Sequence, residues 1–335
     1  MKHKNISQES LSLLHRHLPL LNFDAATDTP SGQFPMADEY LRYYDLHPED
    51  YEPGLRHFLG KHKIKISHGG MFNIACHYWL HPEARGTVFV VHGYFDHVGL
   101  YGHLIKDLLV RGFSVLAFDL PGHGLSDGER ASVASFDHYV EVFDSLCEEA
   151  AALLPKPWHG MGQSTGGAIV LKHLLEEEQG HLAAPGEKKD YTFDQITLFA
   201  PLVHPRFWGF NKLVYLFSHR FLTRVGRAFT ANSGDQKFVE FIKSKDPLQT
   251  RHLPLEWVGA MKRWTEELKS LPPSDFPVNI IQGDKDTTLD WKGNLKILRK
   301  KLPNANVFIV PGGQHHLVNE TQALRAKIFD WVAKI

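Results

Sequence analysis

Short apolar runs alternate with longer amphipathic patterns from Thr87 to the carboxyl end of the chain. The runs have the length of buried strands, and the segments between them place apolar residues at i, i+3 and i+4, as helices do. Strands that alternate with helices predict a mostly parallel central sheet with helices on both faces, the α/β class. The predicted strands are residues 87–91, 113–120, 157–162, 194–201, 278–284 and 306–312, and the predicted helices are about residues 100–111, 136–154, 165–178, 291–302 and 319–335.

The alternation is interrupted between about residues 203 and 275, which contain helix-like and aromatic-rich segments but no convincing strand. We expect a helical cap here, inserted above the carboxyl ends of the strands, where open α/β sheets bind ligands. Alternating runs on either side of the turn HGG predict a β-hairpin from Lys61 to Leu80. The predicted units are an N-terminal extension packed on the core (1–60), a core (61–202 and 276–335) and a cap (203–275).

The charge of the chain is close to neutral, with a formal net value of −1 over 335 residues. No overall field attracts nucleic acid, so we expect no nucleic-acid partner. The first leucines are interrupted by Ser, His and Arg, unlike the apolar core of a signal peptide, and we expect a cytoplasmic protein. Many of the 22 histidines, including His57 and His173, fall on helix-like polar faces, where a solvated side chain is expected.

The pattern G-x-S-x-G occurs twice, at residues 124–128 and 162–166. A nucleophilic serine of this pattern needs a strand before it and a helix after it, because a sharp turn between them exposes the hydroxyl. Ser126 leads into a polar loop, which predicts a structural residue. Ser164 follows a predicted strand and opens a good helix pattern, so we predict that Ser164 is a nucleophile.

A serine needs a base to activate it, and the base needs an acid to orient it. In this architecture the acid and then the histidine follow the serine along the chain, at the ends of later strands. Two adjacent histidines compete for the base, with His315 preferred over His316. Three acids compete for the orienting position, with Asp286 preferred over two that suit a turn or a helix cap, Asp284 and Asp290.

The run HGYFDH, residues 92–97, has two interpretations. It is one histidine short of the H-x-H-x-D-H run that binds metal in many metallohydrolases, because Tyr94 occupies the middle position. It also fits a strand end followed by a glycine turn that supplies a backbone N–H to an oxyanion. The turn is favoured because a serine site makes a metal redundant. Asp96 and His97 are then expected to stabilise the loop.

These patterns resemble the α/β-hydrolase superfamily, specifically its monoacylglycerol lipase and lysophospholipase branch with a helical cap. The resemblance covers about residues 61–335 and rests on residues 92–93 (HG), 119–128 (DLPGHGLSDG), 162–167 (GQSTGG), 246–248 (DPL), 283–286 (GDKD) and 312–315 (GGQH). It implies a serine hydrolase that needs no cofactor or metal, with Ser164 as nucleophile, Asp286 as acid and His315 as base. It also implies an oxyanion hole formed by the backbone N–H groups of Tyr94 and Thr165.

The chain departs from the branch at Gln163 and Thr165, where His and Met usually flank the serine, and at Tyr94-Phe95, where a small residue is usual. The two aromatic residues are expected to narrow the acyl entrance. Residues 206–227 combine aromatic and basic side chains without an acid, which is typical of an acyl-lining lid that meets membrane lipid and also of a cap helix that packs on the core. The predicted substrate is a long-chain lipid monoester, with Phe95, Trp208 and Phe210 as candidate contacts.

Other functions are compatible with the same sequence. An aminopeptidase of the superfamily needs an acid that holds a free amine, and the cap offers Asp235, Glu240, Asp246, Glu256, Glu266 and Glu267. A metal-dependent hydrolase and a non-catalytic binding protein are alternatives of a different class. The presence of a serine, an acid and a histidine in the expected order argues against the binding protein.

Overall fold

The structure is a computed structural model that describes residues 6–47, 51, 54–67, 70–182, 189, 191–227 and 229–333. Within one cap helix it does not describe the side chains of residues 210, 211, 214 and 218. The strands of the described part are β1 (Arg56–Lys65), β2 (Met71–Leu80), β3 (Thr87–Val91), β4 (Ser114–Phe118), β5 (Trp158–Gln163), β6 (Gln195–Phe199), β7 (Arg224–Gly226), β8 (His252–Pro254), β9 (Val278–Gly283) and β10 (Asn306–Val310). The helices are α1 (Gln8–His17), α2 (Pro35–Tyr43), α3 (Gly102–Val110), α4 (Phe136–Ala150), α5 (Thr165–Glu178), α6 (Trp208–Ser218), α7 (Gln236–Glu240), α8 (Leu255–Ser270), α9 (Trp291–Lys301) and α10 (Gln322–Val332).

Eight of these strands form one sheet in the order β1-β2-β4-β3-β5-β6-β9-β10. The first two pairs, β1 with β2 and β2 with β4, are antiparallel, and every pair from β4 to β10 is parallel. Alternate residues of β3 point to opposite apolar layers. Phe89 belongs to the layer that includes residues of α4, α5 and α9, and Val90 to the layer that includes residues of α1, α2, α3 and α10. The predicted α/β architecture, with helices on both faces of a mostly parallel sheet, is confirmed.

The region predicted as a cap, residues 203–275, leads from β6 to β9 and contains α6, α7 and α8. It also contains a two-stranded antiparallel ribbon, β7 with β8, so the expectation of a region without strands is wrong. Each of these strands is three residues long, which is too short to produce a recognisable alternation in sequence. A π-helical turn, Phe241–Lys245, follows α7 and leads to Asp246.

The N-terminal extension covers the outer edge of β1. The backbone N–H of Leu21 donates to the carbonyl of Lys61 at 2.8 Å, and the N–H of Lys61 donates to Pro19 at 2.7 Å. Gly60 permits this close approach, since a Cβ there would stand 2.5 Å from the carbonyl oxygen of Pro19. The strand itself begins at Arg56, five residues before the hairpin start predicted at Lys61.

Two histidines expected on solvated faces are instead buried. His57 lies on β1, where its ring stacks on Trp79 at 4.3 Å and its Nδ1 is 2.9 Å from the Ser31 hydroxyl. Burial lowers the pKa of His57 well below its ordinary value, so this ring is neutral. His173 lies on α5, 3.0 Å from a carboxylate oxygen of Asp144.

In the described part of the chain, every helix is too short or too polar to cross a lipid bilayer.

Candidate active site

Ser164 occupies the turn between β5 and α5, with φ 54° and ψ −112°. This left-handed conformation costs about 1–3 kcal/mol for a residue with a side chain, and it lifts the hydroxyl above the carboxyl edge of the sheet. Glycine is required nearby, because a Cβ on Gly166 would stand 2.0 Å from the carbonyl oxygen of Val91. The turn predicted around Ser164 is therefore present.

Three of the predicted site residues meet at this edge. The Nε2 atom of His315 lies 3.0 Å from Ser164 Oγ, and its Nδ1 atom lies 2.8 Å from Asp286 Oδ2. Asp286 follows β9 and His315 follows β10, and these two strands are parallel neighbours, so their carboxyl ends bring the side chains together. All three residues are buried. The geometry is that of a serine, its general base and an orienting acid.

The Asp286 carboxylate is also fixed by residues that precede and follow it in the chain. Its Oδ1 accepts the backbone N–H groups of Thr288 at 2.8 Å and Leu289 at 3.0 Å, and its Oδ2 accepts the Gln282 amide at 3.1 Å. Burial alone would raise the pKa of Asp286, but the charge and hydrogen bond of His315, with these further donors, hold it below its usual value. Asp286 is therefore ionised.

At His315 burial and the neighbouring charge also oppose each other, and there the net effect is a raised pKa. Burial would lower the pKa of this imidazole, but attraction to the Asp286 carboxylate and their hydrogen bond raise it above its ordinary value. Because ionised Asp286 only accepts hydrogen bonds, Nδ1 carries a proton. In the neutral ring Nε2 is then free to accept the proton of Ser164.

Two residues that sequence reasoning did not select hold the His315 loop in place. The Gln163 amide donates to the backbone carbonyl of His315 at 2.9 Å. The buried Glu320 carboxylate accepts the N–H of Gln314 at 2.6 Å and that of Gly234, in the cap, at 2.9 Å. Gln163 could have been found from its position beside the serine, where the chain departs from the usual histidine. Glu320 has no comparable signal.

The competing serine and acids have structural roles. Ser126 Oγ is buried, donates to the carbonyl of Asp119 at 2.6 Å and accepts the N–H of Ala75 at 2.9 Å. Asp284 Oδ1 accepts the N–H of Gly312 at 2.8 Å, and Asp290 caps α9. None of these three contacts His315 within the described part of the structure.

The turn after β3 lies against Ser164. A Cβ on Gly93 would stand 3.5 Å from Ser164 Cβ, and Tyr94, whose N–H is a predicted oxyanion donor, is the next residue of this turn. Thr165 provides the N–H on the other side, at the first position of α5, where a helix favours negative charge. Neither N–H donates to another group among the residues that the structure describes.

The side chains of the HGYFDH run do not converge on one point. Both ring nitrogens of His92 are engaged, Nδ1 with the carbonyl of Gly93 and Nε2 with the N–H of Leu120. Asp96 bonds to Tyr101 and His316, whereas His97 bonds to a cap residue. The expected loop-stabilising contacts of Asp96 and His97 are thus observed, and this arrangement does not suit a common metal ion.

One group of three carboxylates lies within ligand distance of one another in the described chain, namely Asp137, Glu176 and Glu267. The ammonium group of Lys172 is bound to all three, at 2.8 Å from Asp137 and 2.5 Å from Glu176, with a third contact to Glu267. These contacts connect α4, α5 and the cap helix α8. A lysine therefore already supplies the positive charge that this group requires.

The candidate substrate contacts lie at different depths. Phe95 has φ 67° and packs beside Tyr94, with the guanidinium of Arg227 4.0 Å from its ring centre. Tyr94 lies flat on Trp257 of the cap, with ring centroids 3.6 Å apart. Both aromatic residues therefore form part of the wall between the turn and the cap. The Phe210 side chain lies outside the description.

An open cleft of about 1040 Å³ lies beside the acid loop. Trp208 and Trp291 are among its walls, and it reaches Asp286 and Gln314. Trp208, at the first position of α6, is itself largely buried. The cleft thus borders the acid side of the site.

The six cap acids that an aminopeptidase could use are all engaged with groups of the protein. Asp246 bonds to His97, and Glu256 accepts the Ser132 hydroxyl at 2.6 Å. The other partners are as follows: Lys172 for Glu267, Lys262 for Glu266, Ser244 for Glu240, and the N-terminus of α7 with Arg325 for Asp235.

A mostly parallel sheet, a serine on a strained strand–helix turn, and an acid and a histidine after later strands define an α/β-hydrolase. Residues 82–322 match the family described as "serine aminopeptidase, S33", and the chain belongs to that family. It is therefore a serine hydrolase.

The chain is 26% identical over 250 residues to a monoacylglycerol lipase of Mycolicibacterium smegmatis, covering 72% of this chain and 84% of that protein. It is 24% identical to the probable lysophospholipase L2 of Haemophilus influenzae, over 88% of this chain and 94% of that protein. A soluble variant of the Saccharomyces cerevisiae monoglyceride lipase has the same fold, with a TM-score of 0.66 and 18% identity, over 81% of this chain and 92% of that one. The predicted resemblance to the lipase and lysophospholipase branch is confirmed.

Proposed function

We propose that the protein hydrolyses the ester bond of a lipid monoester, with a monoacylglycerol as the preferred class, through Ser164, His315 and Asp286. The observation that carries the proposal is the continuous hydrogen-bonded line from Ser164 Oγ through the imidazole of His315 to Asp286. The names of similar proteins, which include monoacylglycerol lipases and a lysophospholipase, support the substrate class.

The reaction proceeds through an acyl-enzyme. Ser164 attacks the ester carbonyl while His315 takes its proton, and Asp286 stabilises the charged imidazole that results. The N–H groups of Tyr94 and Thr165 bind the oxyanion, each contributing about 3 kcal/mol to transition-state stabilisation. His315 then gives its proton to the leaving alcohol, and a water molecule repeats the attack on the acyl group.

The arginine that lies against the turn beside Ser164 is already engaged with other groups of the protein. The guanidinium of Arg227 is stacked on Phe95 and donates to the side chain of Gln249 at 2.7 Å, so it is already committed. Burial lowers the pKa of Arg227 to about 10, which leaves it charged at neutral pH. A glycerol ester needs no cationic partner, whereas a phosphate would have to use the cations of the cleft beside the acid loop, Arg206, Lys285 and Lys292.

The contacts of the acidic residues in the cap weigh against an aminopeptidase. A free amine must be held by an ionised acid, and each of the six candidate acids of the cap already has a hydrogen-bond or ion-pair partner. Recruiting the buried Asp246 would leave His97 without its partner, at a cost of about 1–3 kcal/mol.

The outer part of the cap suits a lipid surface. Phe217 is 72% exposed and Phe221 is 85% exposed, and the segment 206–227 carries basic residues but no acid. Exposed aromatic side chains with basic neighbours bind the interface of an anionic membrane. We propose that this segment contacts the membrane from which the substrate is drawn.

The test is fatty-acid release from a long-chain monoacylglycerol and from the lysophosphatidylcholine with the same acyl chain, with Ser164→Ala as the control for both. We expect faster release from the monoacylglycerol and none from the variant. Labelling by a fluorophosphonate probe should occur at Ser164. Labelling at Ser126 instead, or undiminished release by Ser164→Ala, would contradict the proposal.

A further inference from the structure

A buried ion pair connects the cap to the turn beside Ser164. Asp246 Oδ2 lies 3.0 Å from His97 Nε2, and both side chains are completely buried. Burial opposes both charges, but mutual attraction outweighs it, since the pKa of Asp246 is lowered and that of His97 is raised. His97 Nδ1 has no partner among the described residues. The contact with Asp246 is therefore what orients this ring.

The same carboxylate fixes a second residue of the turn. The Gln249 amide lies 2.9 Å from Asp246 Oδ2 and 3.1 Å from the carbonyl oxygen of Phe95, so it bridges the two. Phe95 holds a left-handed conformation, φ 67°, which costs about 1–3 kcal/mol and persists only where the surroundings enforce it. Through His97 and Gln249, Asp246 thus holds residues 95 and 97, immediately after the predicted oxyanion donor Tyr94.

The N-terminal extension completes the set of donors around Asp246. The Tyr44 hydroxyl donates to Asp246 Oδ1 at 2.7 Å, beside the N–H of Leu248 at 3.0 Å. The Tyr44 ring also packs edge-on against His97, with centroids 4.9 Å apart. Tyr44 lies outside the range matched by the family, residues 82–322, whereas His97 and Asp246 lie within it. The extension therefore adds a support that the family match does not include.

We propose that Tyr44, Asp246 and His97 are positioning residues for the oxyanion turn, so that the N-terminal extension takes part in catalysis by holding the Tyr94 N–H towards Ser164. The inference rests on the proposed function, because it concerns the oxyanion of an acyl-transfer reaction. A donor that moves away from the oxyanion weakens transition-state binding and leaves binding of the ground-state substrate nearly unchanged. The deficit therefore belongs in kcat rather than in KM.

The test compares Tyr44→Phe with Tyr43→Phe in the full-length protein. Tyr43 is a matched control because its hydroxyl also donates from the extension to the cap, to the carbonyl of Lys245 at 2.8 Å, but not to Asp246. Using a water-soluble short-chain ester, we expect Tyr44→Phe to lower kcat about tenfold with KM within about twofold, and Asp246→Asn to lower kcat about a hundredfold. Affinity for an alkyl boronic acid, which forms a tetrahedral adduct with serine, should fall by the same factors.

Equal kcat values for Tyr44→Phe and Tyr43→Phe would overturn the proposal, as would a loss confined to KM. Near-ultraviolet circular dichroism establishes whether each variant is folded. If one of them does not fold, Gln249→Met is measured in its place. Gln249→Met tests the second connection from Asp246 and is also expected to lower kcat without changing KM. A wild-type protein that neither hydrolyses esters nor reacts with a fluorophosphonate would instead refute the proposed function, and the positioning role with it.

Discussion

Replacing Asp286 by asparagine tests the proposed mechanism at the atom that sets the tautomer of His315. The asparagine oxygen is expected to face the N–H groups of Thr288 and Leu289, which now donate to Oδ1. The amide NH₂ then replaces Oδ2 and donates to Nδ1 of His315. Nε2 must carry the ring proton in that case, and it points at Ser164 Oγ as a donor instead of an acceptor.

The expected loss of kcat follows from the free-energy cost of the other orientation of the asparagine side chain. Flipping the asparagine would leave the two backbone N–H groups unpaired, at about 1–3 kcal/mol each. The unflipped orientation loses only the hydrogen bond from the Gln282 amide to Oδ2, so the catalytically wrong tautomer dominates. The variant also loses the negative charge that stabilises the imidazolium. Together these effects predict a fall in kcat of about 10⁴-fold, the size seen when a triad aspartate becomes asparagine in another serine hydrolase, which corresponds to about 5.5 kcal/mol.

The assay is steady-state hydrolysis of a p-nitrophenyl ester, with Asp284→Asn as the matched control. Asp284 lies on the same loop, and its contact with the Gly312 N–H can be kept by an asparagine oxygen. We expect the control to retain kcat within about threefold, since its hydrogen bond is retained. A loss of less than about a hundredfold in Asp286→Asn, or an equal loss in both variants, would refute the reasoning.

The structure leads to three further expectations. Because Asp286 raises the pKa of His315 above the ordinary 6.5, and the base must be neutral to act, kcat/KM should rise with pH through a pKa above 6.5; a pH–rate profile with its acid limb below that value would contradict this. Lys172→Met leaves three carboxylates without their shared cation and should lower the free energy of unfolding, measured by urea titration, by about 2–4 kcal/mol, a value that already allows for the partial exposure of the acids. Lys262→Met, at an exposed ion pair, should lower it by less than about 1 kcal/mol. Phe217→Ser with Phe221→Ser should weaken binding to anionic vesicles about a hundredfold, at about 1.5 kcal/mol for each ring, and leave hydrolysis of a soluble ester within about twofold; an equal loss in both assays would refute membrane docking.

The parts of the molecule that the sequence predicts are those with a local signature. Outside residues 203–275, the alternation of short apolar runs with amphipathic segments gave the order of strands and helices from Thr87 onward, within a few residues at most ends. Ser164 was distinguished from Ser126 because it lies between a predicted strand and a predicted helix, whereas Ser126 leads into a polar loop. Because carboxyl ends of neighbouring parallel strands meet at one edge, the order of acid and histidine was enough to bring Asp286 and His315 together.

The contacts that support the site have no such signature. Tyr44 and Asp246 are 202 positions apart, and neither belongs to a periodic pattern that indicates the other. Gln163 and Glu320 act through backbone groups of the His315 loop, which any residue could supply. His57 was expected in solvent because its position was interpreted as a helix-like polar face, but a neutral imidazole stacked on Trp79 and bonded to Ser31 is readily buried. Burial of such groups is decided by the tertiary partner and not by the neighbouring sequence.

The edge of the sheet that the N-terminal extension covers affects how the protein can be divided. Without residues 19–30, β1 would present unpaired N–H and C=O groups, and such an edge recruits other chains into intermolecular sheets. A polypeptide trimmed to the family-matched residues 82–322 would also lack β1 and β2, and the fully buried strand β4 would become the edge. We therefore expect the family-matched segment to aggregate when made alone. By the same reasoning, we expect that the smallest unit that resists aggregation includes the extension, even though the reacting side chains all lie beyond it.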